Sequence, residues 1–547
     1  MIDLSALGIW RHRRGRGAAA LSPSAEAQGT LLGETPAGER VTLRPPTLEA
    51  SSSSLVFGAS GVGKSVALAA SIVDEYLAAA LPGEGVVIVD VKNDLINGVC
   101  SALLAAQPER AAGAGEVADK VRWIDPFAGG FPLNLNKLPA GAVPLDIRAG
   151  SIANLISTLS TGTGGQAHLT AGSRQIDLLT NVLLGAFTIR HPAAHPLLAI
   201  DALQMKDGLG WLGANTTSDR VKQFCSSTVL SEELRVSTAA RLRASFAATE
   251  ALEQIVTASA CLDFDELISP GVTVIVLGAP IAGLTSLSVF WANLLVRLIA
   301  ERLLARKSND PANHHVRLCI DEAHLVVPAL QDLAEVLITT GRSRNLSLVL
   351  ATQSPVGIEH AAPDLWRLLL TNTPTKILGR LSAPDAELLS RERAPKLGSD
   401  ATAGAVRGRL VSTLTSLPDR EFILLKEGSS TAFRSRDVDV AGWRDALDRH
   451  ADTVQAIQER YALPKTTSRR LYLSDLTPPP KRRSSRGWGR GASGVQTPSS
   501  TAPDYPGPAG ALPGHPSSGA DGESGSAEPL ATAAQAPAPK KPRSRWG

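Results

Sequence analysis

The 547-residue chain is poor in cysteine: Cys100, Cys225, Cys261 and Cys319 lie far apart, with no C-x-x-C pair and no histidine at a matching spacing. This excludes a disulfide framework and a zinc site, and it leaves the thiols as small apolar residues suited to a reducing compartment. A secretory signal is also lacking, because the N-terminus turns polar and Arg-rich after only a few apolar residues. One long stretch without charge, between Glu266 and Arg297, could be weighed as a membrane span. Its order argues otherwise. The β-branched run Gly271-Val272-Thr273-Val274-Ile275-Val276-Leu277-Gly278 is bounded by Pro270 and Pro280, and an amphipathic pattern follows to Arg306. That reads as a buried parallel strand, a loop and a helix, so no integral membrane segment is expected.

A strong net charge is missing too, but the balance of +3 hides an asymmetry. Residues 1–17 carry +3 and residues 465–547 carry +7, which leaves −7 for the body between them. Basic ends on an acidic body suit arms that meet an anionic partner or simply keep the chain soluble. Beyond Pro464 the sequence holds 13 of the 36 prolines among Ser, Gly and Ala, a composition that predicts disorder.

What is present is a phosphate-binding loop. Residues 54–57 (SLVF) form a short apolar strand, Gly58-Ala59-Ser60-Gly61-Val62-Gly63-Lys64-Ser65 follows, and a helix-favouring run extends to Ala80. This is G-x-x-x-x-G-K-[ST] in its strand–loop–helix setting. The glycines let successive N–H groups approach phosphate oxygens, and the helix N-terminus adds positive potential. Lys64 is expected to reach the β- and γ-phosphates of ATP, and the Ser65 hydroxyl to ligate Mg²⁺. The second half of the site is VRLCIDEAH (316–324), an apolar strand ending in two acids. Asp321 is expected to hold Mg²⁺, and Glu322 to orient and deprotonate the attacking water. Such a glutamate points to hydrolysis rather than to a kinase. His324 reads as structural.

Apolar runs at 54–57, 85–90, 120–125, 272–277, 316–320, 346–351, 375–379 and 421–425 read as strands separated mostly by helical patterns. A mostly parallel sheet covered on both faces follows. The expected domains are a basic, disordered arm (1–29), a first part of the ATPase domain opening on a small hairpin (30–145) and an all-α insertion (146–262). A second part of the ATPase domain (263–464) closes with one helix near 440–461, and the disordered tail (465–547) follows.

The series GASGVGKS, IDEAH and TGRSRNLSLVLATQS resembles the FtsK/HerA superfamily of RecA-like P-loop ATPases. VVIVDVKNDL (87–96), WIDPF…FPLNLNKL (123–138) and the helical insertion are most similar to the coupling ATPases of conjugation and type IV secretion. The departures are Val91 where the family usually has Pro, Asn134-Leu135-Asn136 in place of Asn-Pro-Leu, and the missing N-terminal transmembrane helices. The resemblance implies a hexameric ring that draws DNA through its pore, partnered by a relaxase or secretion-channel proteins, in the cytoplasm or at the inner face of the membrane. It also implies Gln353 as the γ-phosphate sensor and Arg342 as the arginine that reaches a neighbouring subunit's nucleotide, with Arg344 and Arg380 next in line. A cytosolic DNA pump, or an ATPase that energises a secretion apparatus through protein contacts, stays open. Trp10, Trp488 and Trp546 sit among arginines and glycines, an arrangement suited to single-stranded nucleic acid or to an acidic protein surface.

Overall fold

The computed structural model describes residues 30–43, 53–77, 83–92, 95–105, 119–127, 130–138, 143–158, 172–277, 285–327, 331–393, 400–426, 429–436, 439–463 and 470–478. The N-terminal arm and the Trp-containing tail motifs lie outside them.

Among the described residues, eleven strands build one sheet. In chain order they are β1 (Thr30–Glu34), β2 (Arg40–Leu43), β3 (Ser54–Phe57), β4 (Gly85–Asp90), β5 (Val121–Ile124) and β6 (Gly271–Val276). They continue as β7 (Val316–Ile320), β8 (Leu346–Thr352), β9 (Thr375–Leu378), β10 (Glu421–Lys426) and β11 (Ser429–Ser435). Across the sheet the order is β2-β1-β11-β10-β9-β3-β8-β7-β4-β6-β5. The run from β9 to β5 is parallel throughout, and β10, β11, β1 and β2 extend it antiparallel at one side.

The parallel strands are apolar on both faces because both are covered. Leu55, Phe57, Val87, Val89, Leu318 and Ile320 enter one core, while Val56, Val86, Ile88 and Cys319 enter the other. Successive strand residues point to opposite faces, so each strand feeds both cores. The first core is closed by helices that include Thr285–Ala305 and Pro363–Asn372, the second by Lys64–Leu77, Leu95–Ala105, Val440–Arg449 and Ala451–Glu459. This is the α/β class expected, with helices on both faces. Among the described residues, no helix is long and apolar enough to cross a membrane. The uncharged stretch 267–296 contains β6 and the start of the helix Thr285–Ala305.

Between β5 and β6 the chain is helical. Leu145–Thr158, Ser173–Phe187, Leu198–Gln204, Gly208–Asn215, Asp219–Ser227, Glu232–Phe246 and Glu250–Thr257 follow one another without a strand among the described residues. A buried ion pair, Arg148 Nη2 to Glu301 Oε2 at 3.0 Å, fastens Leu145–Thr158 to the helix Thr285–Ala305. Burial pushes the Glu301 carboxyl up, and the Arg148 guanidinium opposes that push.

Three details differ from the sequence expectation. Strand β11 was not foreseen, because SSTAFRS lacks an apolar alternation and buries only Phe433 and Ser435. The closing helix is two helices that meet at His450. Residues 470–478, expected in a disordered tail, instead lie across the helical insertion. Arg470 reaches Asp201 and Glu253 at 2.8 Å each, His195 Nε2 lies 2.9 Å from the Leu471 carbonyl, and Leu473 is fully buried. One buried leucine and one doubly paired arginine outweigh the Ser/Pro-rich composition around them.

Candidate functional site

In a parallel sheet the carboxyl ends of the strands open on one edge, and β3, β8 and β7 are adjacent there. The register puts Phe57 beside Thr352 and Leu350 beside Ile320, so the residues after all three strands emerge side by side. Those residues are the glycine-rich loop, Gln353, and the pair Asp321-Glu322.

The loop is held by backbone bonds on both flanks. Gly58 N–H donates to the Thr352 carbonyl at 3.3 Å, Ala59 N–H to the Arg380 carbonyl at 2.6 Å, and Arg420 N–H to the Val62 carbonyl at 3.1 Å. Gly61 and Gly63 have φ of +81° and +92°, which side-chain-bearing residues rarely adopt. Space at Gly61 is open, so the turn geometry rather than crowding calls for glycine there. Phe57, fully buried at the end of β3, packs on Trp366 with ring centroids 5.8 Å apart and fixes the root of the loop.

Two halves of the site meet at Ser65 and Asp321, where the hydroxyl donates to Asp321 Oδ2 at 2.8 Å. Asp321 is buried, and burial pushes its carboxyl up while the Ser65 hydrogen bond opposes this. Lys64 Nζ donates to the Ala59 carbonyl at 3.0 Å. Burial pulls the Lys64 ammonium down, and Glu322 and Asp321 push it back up, so both carboxylates lie within electrostatic reach. A hydroxyl and a carboxylate oxygen side by side are hard donors of the kind that fit Mg²⁺, an ion that takes few protein ligands and keeps water and phosphate oxygens.

Glu322 is 3% exposed and stands in the left-handed region at φ 52°, ψ 44°. Its N–H donates to Asp321 Oδ1 at 2.9 Å. The side chain collects donors on Oε1: Lys92 Nζ at 2.7 Å and Gln353 Nε2. Oε2 faces His324 Nδ1 at 3.4 Å without a hydrogen bond. His324 Nδ1 in turn lies 3.1 Å from Thr352 Oγ1. Burial pulls the His324 imidazole down, which favours its neutral form.

The structure thus brings Gly58–Ser65, Asp321, Glu322 and Gln353 to one place. Arg342 is elsewhere. It lies exposed in the 3₁₀ turn Gly341–Arg344, which precedes β8, so six residue steps of strand, about 20 Å, separate that turn from Thr352. Arg344 donates Nε–H to the Leu304 carbonyl at 3.1 Å and is committed within its own chain. Arg380 pairs with Asp419 at 2.7 Å, and its carbonyl holds Ala59, so it flanks its own loop.

Sequence reasoning gave Lys92 no role, although it stands two residues after Asp90 at the end of β4, the strand next to β7. The lysine of VVIVDVKNDL was the available signal. It lies 230 residues from Glu322 in sequence, and only the strand order joins them. Among the described residues there is no cluster of three or more His, Cys, Asp or Glu suited to a metal, and the four cysteines are free.

No protein-family model and no curated protein matches the sequence. Among solved structures, the chain is similar to VirB4 of Thermoanaerobacter pseudethanolicus, with a TM-score of 0.48 and 16% identity over 77% of this chain and 99% of that one. It is also similar to the bacterial conjugative coupling protein TrwBdeltaN70 in an unbound monoclinic form, with a TM-score of 0.43 and 16% identity over 70% and 84% of the two chains. The plasmid coupling protein TrwB in complex with ADP and Mg²⁺ gives a TM-score of 0.43 and 17% identity, again over 70% and 84%.

Proposed function

We propose that the chain is an ATP-hydrolysing motor that moves DNA, of the coupling type used in conjugation and type IV secretion, and that it works in the cytoplasm as a hexameric ring. The observation that carries the hydrolytic part is the convergence of Lys64, Ser65, Asp321, Glu322 and Gln353 at the ends of three neighbouring parallel strands. In this reading the loop N–H groups and Lys64 bind the triphosphate. Ser65 and Asp321 hold Mg²⁺, which when bound neutralises charge on the β- and γ-phosphates. Glu322 takes the proton of the attacking water, and Gln353 ties the position of that carboxylate to the end of β8.

The ring gives Arg342 its task. An arginine about 20 Å from its own loop contributes to hydrolysis only if it enters the site of a neighbouring subunit. The basic ends and the motif series support DNA as the substrate. The decisive experiment measures ATP turnover of the full-length protein with and without single- and double-stranded DNA. Stimulation by DNA, lost in Glu322→Gln, is the expected result. Turnover indifferent to DNA would instead favour an ATPase that acts through protein contacts.

A further inference from the structure

We propose that Lys92 senses the γ-phosphate: its ammonium holds Glu322 in the resting site and transfers to that phosphate when a nucleoside triphosphate binds. The inference rests on the reading of the loop as a triphosphate site and adds a residue to it.

Three observations lead there. First, Lys92 is anchored at its root and partly open to solvent along its side chain. The fully buried Asp90 accepts from Lys92 N–H at 3.2 Å and from Leu95 N–H at 2.9 Å, which fixes the backbone at the end of β4. The Lys92 side chain is 43% exposed, whereas that of Glu322, its partner at 2.7 Å, is 4% exposed. A long stem on a fixed root lets the ammonium change partner without moving the sheet.

Second, the resting site is balanced in charge. Lys64 and Lys92 face Asp321 and Glu322, and each of the other three acts on the Lys64 ammonium. A magnesium triphosphate adds net negative charge beside Glu322, and like charges at that range repel strongly in a buried site. Of the two cations, Lys92 is the exposed one and Lys64 the buried one.

Third, the Glu322 oxygen that faces Lys92 is already taken. Oε1 is occupied by Lys92 and Gln353, and the buried Oε2 has no hydrogen bond. Departure of Lys92 frees a lone pair on Oε1 for the attacking water. The phosphate that is to be cleaved therefore draws off the cation that restrains the base. ADP, which lacks that phosphate, leaves the pair intact.

The test compares the affinities of the full-length protein for a non-hydrolysable ATP analogue and for ADP, each with Mg²⁺. Lys92→Met should weaken the analogue about tenfold or more while ADP binding stays as in the wild type, since a hydrogen bond to a charged group typically contributes that much. Lys92→Arg should restore most of the preference. Glu322→Gln should tighten the analogue and not ADP, because no ion pair then has to be broken. Unchanged ADP affinity also certifies that Lys92→Met is folded. If Lys92→Met weakens both nucleotides equally or neither, Lys92 does not sense the γ-phosphate. If the wild type binds neither nucleotide, the underlying reading of the loop fails instead.

Discussion

The Ser65 hydroxyl donates to Asp321 Oδ2 at 2.8 Å, joining residues 256 positions apart in the sequence. That contact joins the two halves of the site, so the loop and the acidic pair form one unit whose members can be removed separately.

Binding and hydrolysis should therefore separate. Lys64→Ala is expected to lose nucleotide binding, because its ammonium has no substitute on the loop. Glu322→Gln should bind ATP and lose about 10²–10⁴ in turnover, the usual contribution of a positioned base. Nucleotide binding and phosphate release measured for each variant check this. Normal turnover in Glu322→Gln would remove the residue from that role.

Arg342→Ala should abolish hydrolysis, by roughly 10³–10⁵, with little change in ATP affinity. Because the residue lies at the far end of β8 from its own loop, the defect should be complementable. Mixing Arg342→Ala with Lys64→Ala pairs an intact loop with an intact arginine at some interfaces, and turnover should return in part. Arg344, tied to the Leu304 carbonyl, and Arg380, tied to Asp419, should not substitute for it. A mixture that stays silent although subunits exchange would show that Arg342 does not act across an interface.

Truncation at two places should give different outcomes. Residues 479–547 hold 9 Lys/Arg against 4 Asp/Glu. Removing them should leave an active ATPase and reduce the salt dependence of DNA binding, the signature of lost phosphate contacts. Removing 465–547 also takes away Arg470 and the buried Leu473, and should destabilise the helical insertion. Burial of a leucine alone typically contributes about 2–5 kcal/mol. Thermal melts and salt titrations of both truncations separate the two effects, and equal melting temperatures would contradict the structural role of 470–478.

The same contact predicts a pH dependence. Burial, then the nearby Arg470 charge, pulls the His195 imidazole down from 6.5 to about 4. Between these values the unfolded chain binds a proton and the folded one does not, so stability falls as pH drops from about 6.5 towards 4. The full loss is about 3 kcal/mol. His195→Gln should flatten that part of the profile. Melting temperatures of wild type and variant from pH 7 to pH 4 provide the check, and parallel profiles would count against it.

Legibility in the sequence followed the physics of each element. Runs such as VVIVD and VRLCI announce buried parallel strands because all their residues but Asp90 and Arg317 are apolar. The loop announces itself because its glycines, lysine and serine each have one task in a fixed order. What stayed hidden depends on distant contacts. Strand β11 is polar because it pairs at the antiparallel side of the sheet, where one face needs little apolar cover. Residues 470–478 are ordered by partners 217 to 276 positions away, and Lys92 gains meaning only once β4 is known to lie beside β7.

Strand β8 has Gln353 just beyond one end and the turn of Arg342 just before the other, and it is paired on both sides, to β3 and to β7. A strand so bordered neither stretches nor bends by itself. If Gln353 responds to the nucleotide, as the proposed function has it, a shift there would reach the Arg342 turn along β8, as along a push rod. In the proposed ring, each such rod would run from one subunit's own nucleotide to the next subunit's.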